Sequence, residues 1–271
     1  MITINYIGQF GNKMFQYSYA RLLAEHNKIN LFTQLGCDGI IKTTPHKQFD
    51  EPVKKGTKML TDIGYDNFRQ KNGSVIVDLD PSYDYILDGY FQDAELFNKC
   101  ENQVRSFFVI PEINKNYDDT LVLFRLGDFI HNAWNSEIIH YNWYNEAISQ
   151  MPGKKIFVTS SNKSENGPST KEQEMTYFSK ISAFNGELIE AKGTKEDFEF
   201  IYSFNNIISS NSTWSWWACF LSKSTNIITM EQFGSFGTTL LKSHGVHINK
   251  LYNIRNVSKV IPGEFIDITL F

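Results

Sequence analysis

Cysteine is scarce, at 3 residues among 271. Cys37, Cys100 and Cys219 are odd in number and share no metal-ligand spacing, which argues against both a disulfide framework and a thiolate metal site. Three reduced thiols are expected, and with them a cytoplasmic setting. No apolar run approaches the roughly 18 residues that a membrane span requires, and the opening MITINYIGQF lacks a basic region followed by an apolar stretch. No transmembrane segment is expected. Long basic blocks are missing as well: 26 Lys and Arg stand against 30 Asp and Glu, a net charge of −4, which excludes a nucleic-acid partner. His244 and His247 lack a third ligand nearby in sequence, so no metal is assigned.

What the chain does have is aromatic side chains, 15% of all residues, more than packing ordinarily needs. Most are expected in the core, with the surplus lining a sugar or base site. Three of the 5 tryptophans fall within NSTWSWWACF, residues 211–220. The length suits two compact domains, set here at 1–115 and 116–271.

Residues 2–7 alternate as a short strand does, GQFGN makes a glycine-bounded turn, and MFQYSYARLLAEH has helical spacing. KINLFT reads as a second strand, whereas residues 34–75 show little periodicity. YDYILDGYFQ reads as a strand leading into a helix over 93–107, and VIPEINKNYDDT has the polar character of a linker. Beyond it, LVLFRL, KKIFVTS, NIISS and TNIITM read as strands alternating with helices near 140–150, 170–180, 195–204 and from 213. That alternation predicts a mostly parallel, doubly wound sheet in an α/β protein. Ligands of such sheets bind beyond the carboxyl ends of the strands.

Four loops stand at such places. Gly11 and Asn12, in GQFGN, allow close backbone approach to a ligand, or serve a tight turn only. Arg125 and Asp128, in LFRLGDF, end a strand; the planar guanidinium suits a diphosphate and Asp128 would orient it, unless the two are a surface ion pair. Asp197 opens a helix, where an acidic residue commonly serves as a cap. Asn211, Ser212 and Thr213 follow NIISS where a helix starts, and their hydroxyls and N–H groups would cradle a phosphate while also capping the helix. Asp78 and Asp80 form a lone D-x-D, the pattern with which metal-dependent glycosyltransferases hold manganese.

Together these stretches resemble the alpha-1,2-fucosyltransferase family. GQFGNKMFQY resembles its G-x-x-G-N-Q-M-F-Q-Y pattern, with Lys13 in place of glutamine. DGYFQDAELF is similar to its G-Y-F-Q segment, and IISSNSTWSWWACFL to its I-I-A-N-S-[ST]-[FY]-S-W-W segment. The family's H-x-R-R-G-D becomes Leu123-Phe124-Arg125-Leu126-Gly127-Asp128 here. The resemblance implies a GT-B architecture of two Rossmann-like domains, and inverting, metal-independent transfer from GDP-fucose to a glycan acceptor with no further cofactor. It implies that Arg125 grips the donor diphosphate; separately, Asp128 is the candidate base for the acceptor hydroxyl. Ser212 and Thr213 would form the phosphate loop, Asp197 would read guanine, and Gly11 and Asn12 would lie in the loop over the donor. Leu123 and Leu126 keep two alternatives open: transfer from another nucleotide sugar, or a catalytically silent binding relative.

Overall fold

The computed structural model describes residues 1–33, 35, 40–61, 76–110, 112, 117–126, 129, 138–160, 168–230 and 257–266. Two compact units emerge, one from residues 1–110 and the other from the described residues after them. Each is mixed α/β and built on a parallel sheet.

In the first unit the chain runs β1 (Ile2–Asn5), α1 (Phe10–Asn27), β2 (Lys42–Thr43), β3 (Gly56–Thr61) and β4 (Tyr83–Asp88). It continues through α2 (Ala94–Lys99), α3 (Glu101–Ser106) and β5 (Phe108–Val109). The sheet order is β1-β4-β3, both pairings parallel. KINLFT contributes a single parallel bridge from Leu31 to Ile2. β3 lies inside the stretch without periodicity, and its residues 56–59 are exposed, so burial imposes no alternation there.

α1 begins earlier than the glycine spacing predicts. Gly8 makes the reversal with φ +75°, Gln9 is the N-cap, and Gly11 and Asn12 belong to the first helical turn. A second feature fixes this start. Gln16, fully buried, donates through Nε2 to the Ile7 carbonyl (2.7 Å) and accepts the Ile7 N–H on Oε1 (3.0 Å). One amide thus substitutes for a strand partner where β1 has run out of neighbours.

Farther along α1, Arg21 is buried and satisfied, donating to Glu25, Tyr17 and the carbonyls of Thr44 and Pro45. His46 closes this network. Its Nδ1 donates to the Leu31 carbonyl (3.2 Å) and its Nε2 accepts from the Tyr17 hydroxyl (3.0 Å), an arrangement for neutral imidazole. Burial, helped by the Arg21 charge, holds the His46 pKa below its ordinary value.

The second unit holds β6 (Tyr117–Phe124), β7 (Ile138–Ile139), α4 (Tyr141–Ser149), β8 (Lys155–Ser160), α5 (Pro168–Phe178) and β9 (Ile189–Ala191). After them come α6 (Lys195–Ile201), β10 (Phe204–Ile208), α7 (Thr213–Leu221), β11 (Asn226–Met230), β12 (Val257–Ile261) and β13 (Phe265–Ile266). Six strands pair in the order β12-β11-β10-β6-β8-β9, every pairing parallel. Tyr117 to Thr120, which read as linker, belong to the central strand β6.

The aromatic surplus is core. Phe124, Phe157, Tyr144, Tyr177 and Phe178 pack with Trp143 and Ile208 between the sheet and helices α4 and α5. The buried hydroxyls are satisfied, Tyr144 donating to the Leu123 carbonyl (2.9 Å) and Tyr177 to that of Ile139 (2.6 Å). Burial raises both pKa values far above the ordinary tyrosine range.

Replacing Gln16 by Leu keeps the volume but strands both polar groups of Ile7, so urea denaturation should show a loss of about 1–3 kcal/mol. A pH dependence follows from His46. Its lowered folded pKa makes a stabilising contribution that is full above the unfolded value of about 6.5 and is lost as pH falls through the folded value. The urea midpoint should therefore decline as pH drops below about 6.5, and His46→Gln should flatten that part of the decline.

Candidate functional site

Numbered within their own sheet, the six strands of the larger sheet of the second unit run 3-2-1-4-5-6: β6 is first, and its two neighbours are β8, second, and β10, fourth. Between β6 and β10 the strand order reverses. The chain leaves β6 toward one face of the sheet and β10 toward the other, because both crossovers keep the right-handed sense while running in opposite directions. A crevice opens at such a reversal, beyond the carboxyl ends of those two strands.

The register shows which residues stand there. Val122 pairs with Ile208, so Arg125, one residue past the end of β6, and Asn211, three past the end of β10, leave neighbouring strands at the same edge. Arg125 is half-buried, with its guanidinium carbon 4.9 Å from the ring centre of Phe129. Stacking on an aromatic face restrains the long side chain. Asp128, its expected companion, lies outside the described residues, as do Cys37, His244 and His247.

Ser212 is the N-cap of α7. Its Oγ accepts the Trp214 N–H at 3.2 Å, which leaves the hydroxyl proton to donate outward. Thr213 is the first helical residue, and both side chains are half-buried. The first-turn N–H groups of this helix add partial positive charge. Asn211 is 7% exposed, buried beneath the turn.

Two residues that the sequence reading overlooked hold the turn. The Ser215 hydroxyl lies 2.9 Å from the Ser212 carbonyl and 3.1 Å from that of Ser210, and the Ser210 hydroxyl is 2.9 Å from it. Ser212 and Ser215 are N-cap and N3, but with serine in place of the Glu or Gln of a capping box the pattern gave no local signal; Ser215 donates to the turn carbonyls instead. Behind them Trp216 and Trp217 are fully buried, Trp216 stacking on Phe220 at 4.9 Å and Trp217 meeting it edge to face at 5.4 Å. Their role is to anchor α7. Cys219, buried in the same helix, has its pKa pushed up to about 12 by burial, so its thiol is inert at neutral pH.

Asp197 takes the cap position anticipated as its simpler role. It is N3 of α6, in a capping box with Thr194, and its Oδ2 accepts from the N–H of Lys192 (2.8 Å), the N–H of Thr194 (2.9 Å) and the Thr194 hydroxyl (3.1 Å). A carboxylate so engaged offers one oxygen to a base rather than two. Its neighbour Phe198 meets Trp214 edge to face at 5.7 Å, which sets the α6 start beside the α7 start.

Leu123 and Leu126, the two departures from the arginine motif, are core residues, 3% and 1% exposed. This stretch therefore places one arginine just past the carboxyl end of β6. Asp78 and Asp80 are separately engaged: Asp78 pairs with His26 (2.8 Å), and Asp80 accepts the N–H and hydroxyl of Ser82 ahead of β4. Those hydrogen bonds from Ser82 chiefly lower the Asp80 pKa. Among the described residues no three His, Cys, Asp or Glu side chains cluster as a metal site would need, and no helix is long and apolar enough to cross a membrane.

In the first unit, Asn12 sits one turn into α1, and its Oδ1 accepts from Gln92 Nε2 at 2.8 Å. Phe91, just before Gln92, is buried at φ +50° and stacks on Tyr19 at 4.7 Å. A non-glycine residue in that region stores strain of about 1 kcal/mol or more. Thus the GQFGN and GYFQ stretches, 80 residues apart in sequence, meet through one amide pair.

No curated protein and no solved structure matches the chain at a significant level. A sequence model of one family, described as glycosyl transferase family 11, matches residues 1–236. This span takes in both amide-bearing stretches of the first unit, Arg125 and the whole turn into α7. The chain belongs to glycosyl transferase family 11, and the protein is a glycosyltransferase.

Proposed function

We propose that the protein transfers L-fucose from GDP-fucose to a glycan hydroxyl with inversion, in a GT-B arrangement of its two units. The observation that carries this reading is the reversal of strand order between β6 and β10, with Arg125 and the Ser212–Thr213 turn at the two strand ends that flank it. Breaking the bond between a sugar and a diphosphate leaves negative charge on the departing phosphate. Donors fixed before the reaction stabilise that charge without reorganising.

In this reading Arg125 spans two phosphate oxygens with its fork, held in place by Phe129. Ser212 and Thr213 donate hydroxyl protons, and the first turn of α7 adds N–H groups. Asp197, beside that turn, meets guanine with the oxygen that the cap does not use. Positive charge develops on the sugar, and the acceptor hydroxyl attacks the face opposite the diphosphate. Asp128 stands as the candidate to take its proton, and a loose transition state demands little of that base.

A second reading, transfer from another nucleotide sugar, is favoured by the burial of Leu123 and Leu126, which removes two polar groups from the motif. A catalytically silent binding relative is the remaining alternative, and the assays below separate the three.

Arg125→Lys retains charge but loses the bidentate fork, so kcat for GDP release should fall on the order of a hundredfold. Transfer should persist in excess EDTA, since no step in this scheme requires a divalent cation. GDP at a hundred times its Kd should stabilise the chain by about 2.7 kcal/mol. A comparable rise with only a non-guanine nucleotide would favour the second reading.

A further inference from the structure

We infer that Gln92 is a positioning residue for the transfer reaction: it fixes the orientation of the Asn12 side-chain amide, so that the Asn12 NH2 group is presented over Gly8 to an oxygen of the sugar or phosphate. This rests on the transferase reading above.

The Asn12 amide has one acceptor and one donor end, and the two are nearly identical in shape. Which end faces a ligand depends on which end the protein engages. Gln92 donates to Oδ1, which turns Nδ2 the other way. There it lies against Gly8, an exposed residue at φ +75°; a Cβ on Gly8 would run into that Nδ2. Glycine at position 8 therefore keeps a clear surface beside the amide donors, and only glycine adopts that φ without strain.

The Gln92 side is equally constrained. Phe91 is held in the left-handed region by burial and by its stack on Tyr19, a residue of α1 itself. Backbone strain of this kind persists where the surroundings over-determine it, and it redirects the following side chain. Gln92 is thereby tied to the same helix whose first turn carries Asn12. Gln16 sets the depth of that turn through Ile7. One hydrogen bond thus orients the amide, while the Phe91–Tyr19 stack and the Gln16–Ile7 bonds hold the two segments that carry the pair.

Gln92→Glu is nearly isosteric but presents only acceptors, so the Asn12 amide must turn to donate to it and present Oδ1 at Gly8. The full chain, Gln92→Glu, Asn12→Ala and the double variant would be assayed for GDP release from GDP-fucose with a panel of short glycans. Gln92→Glu should lower kcat about tenfold or more while donor KM and the thermal midpoint stay near those of the parent. In the Asn12→Ala background it should add no further loss, because its effect passes through Asn12.

Undiminished kcat in Gln92→Glu, or losses that add, would overturn the inference. Should Gln92→Glu fail to fold, Gln92→Met, which removes the donor without adding an acceptor, gives the same comparison. The side-chain amide resonances of Asn12 in labelled protein supply a readout free of activity. They should move in Gln92→Glu, and unchanged resonances would overturn the inference as well. A parent chain that releases no GDP with any glycan would sink the transferase reading instead.

Discussion

Everything at the candidate site depends on one constraint of parallel sheets: a strand order that grows outward from the middle must reverse somewhere, and at the reversal the covering helices part. In this protein the reversal falls between β6 and β10. Away from a reversal, neighbouring strands of a doubly wound sheet send their crossovers to the same face. Here they feed opposite faces, so the residues just beyond Phe124 and Ile208 stand at an opening with donors from two directions. The chemistry proposed for Arg125, Ser212 and Thr213 is a use of that opening.

Holding charge and dipole at an opening requires stiff support, and the chain supplies it mainly with aromatic rings and short hydroxyl side chains. Phe129 backs the guanidinium, Ser210 and Ser215 tie the turn to itself, and Trp216 and Trp217 fix α7 through their burial. The first unit uses a different device for a similar end. There, buried Gln16 and the Gln92 contact with Asn12 set the start of α1, and the strained Phe91 aims one of those amides. In both units a helix start is held by side-chain hydrogen bonds at the carboxyl end of a parallel strand, where ligands of this architecture approach.

The central strands were legible because strands covered on both faces read as apolar runs: LVLF and NIIS need no alternation to be recognised. NSTWSWW was legible because N-cap chemistry and a buried helix face coincide there. Less visible were β3, exposed over most of its length, and β9, a three-residue edge strand whose Ile189 and Glu190 are exposed. The start of α1 was misplaced because glycine at position 11 looks like a loop residue. Nothing local shows that Gly8 already makes the turn, or that burial makes Gly11 part of a helix. Phe129 carried no signal of its own, and Gln92 stood out only as the last residue of the G-Y-F-Q resemblance, since each matters through a partner that only the fold brings near. Asp197 was legible as a cap, and its three hydrogen bonds limit what else its carboxylate can do.

The most direct test of the central claim is a crystal structure of the chain with GDP bound. Phosphate oxygens within hydrogen-bonding distance of both the Arg125 guanidinium and the Ser212–Thr213 turn, beyond the ends of β6 and β10, are the expected result. A diphosphate held elsewhere, with Arg125 and Thr213 both out of reach, would contradict the claim that the strand reversal builds the donor site.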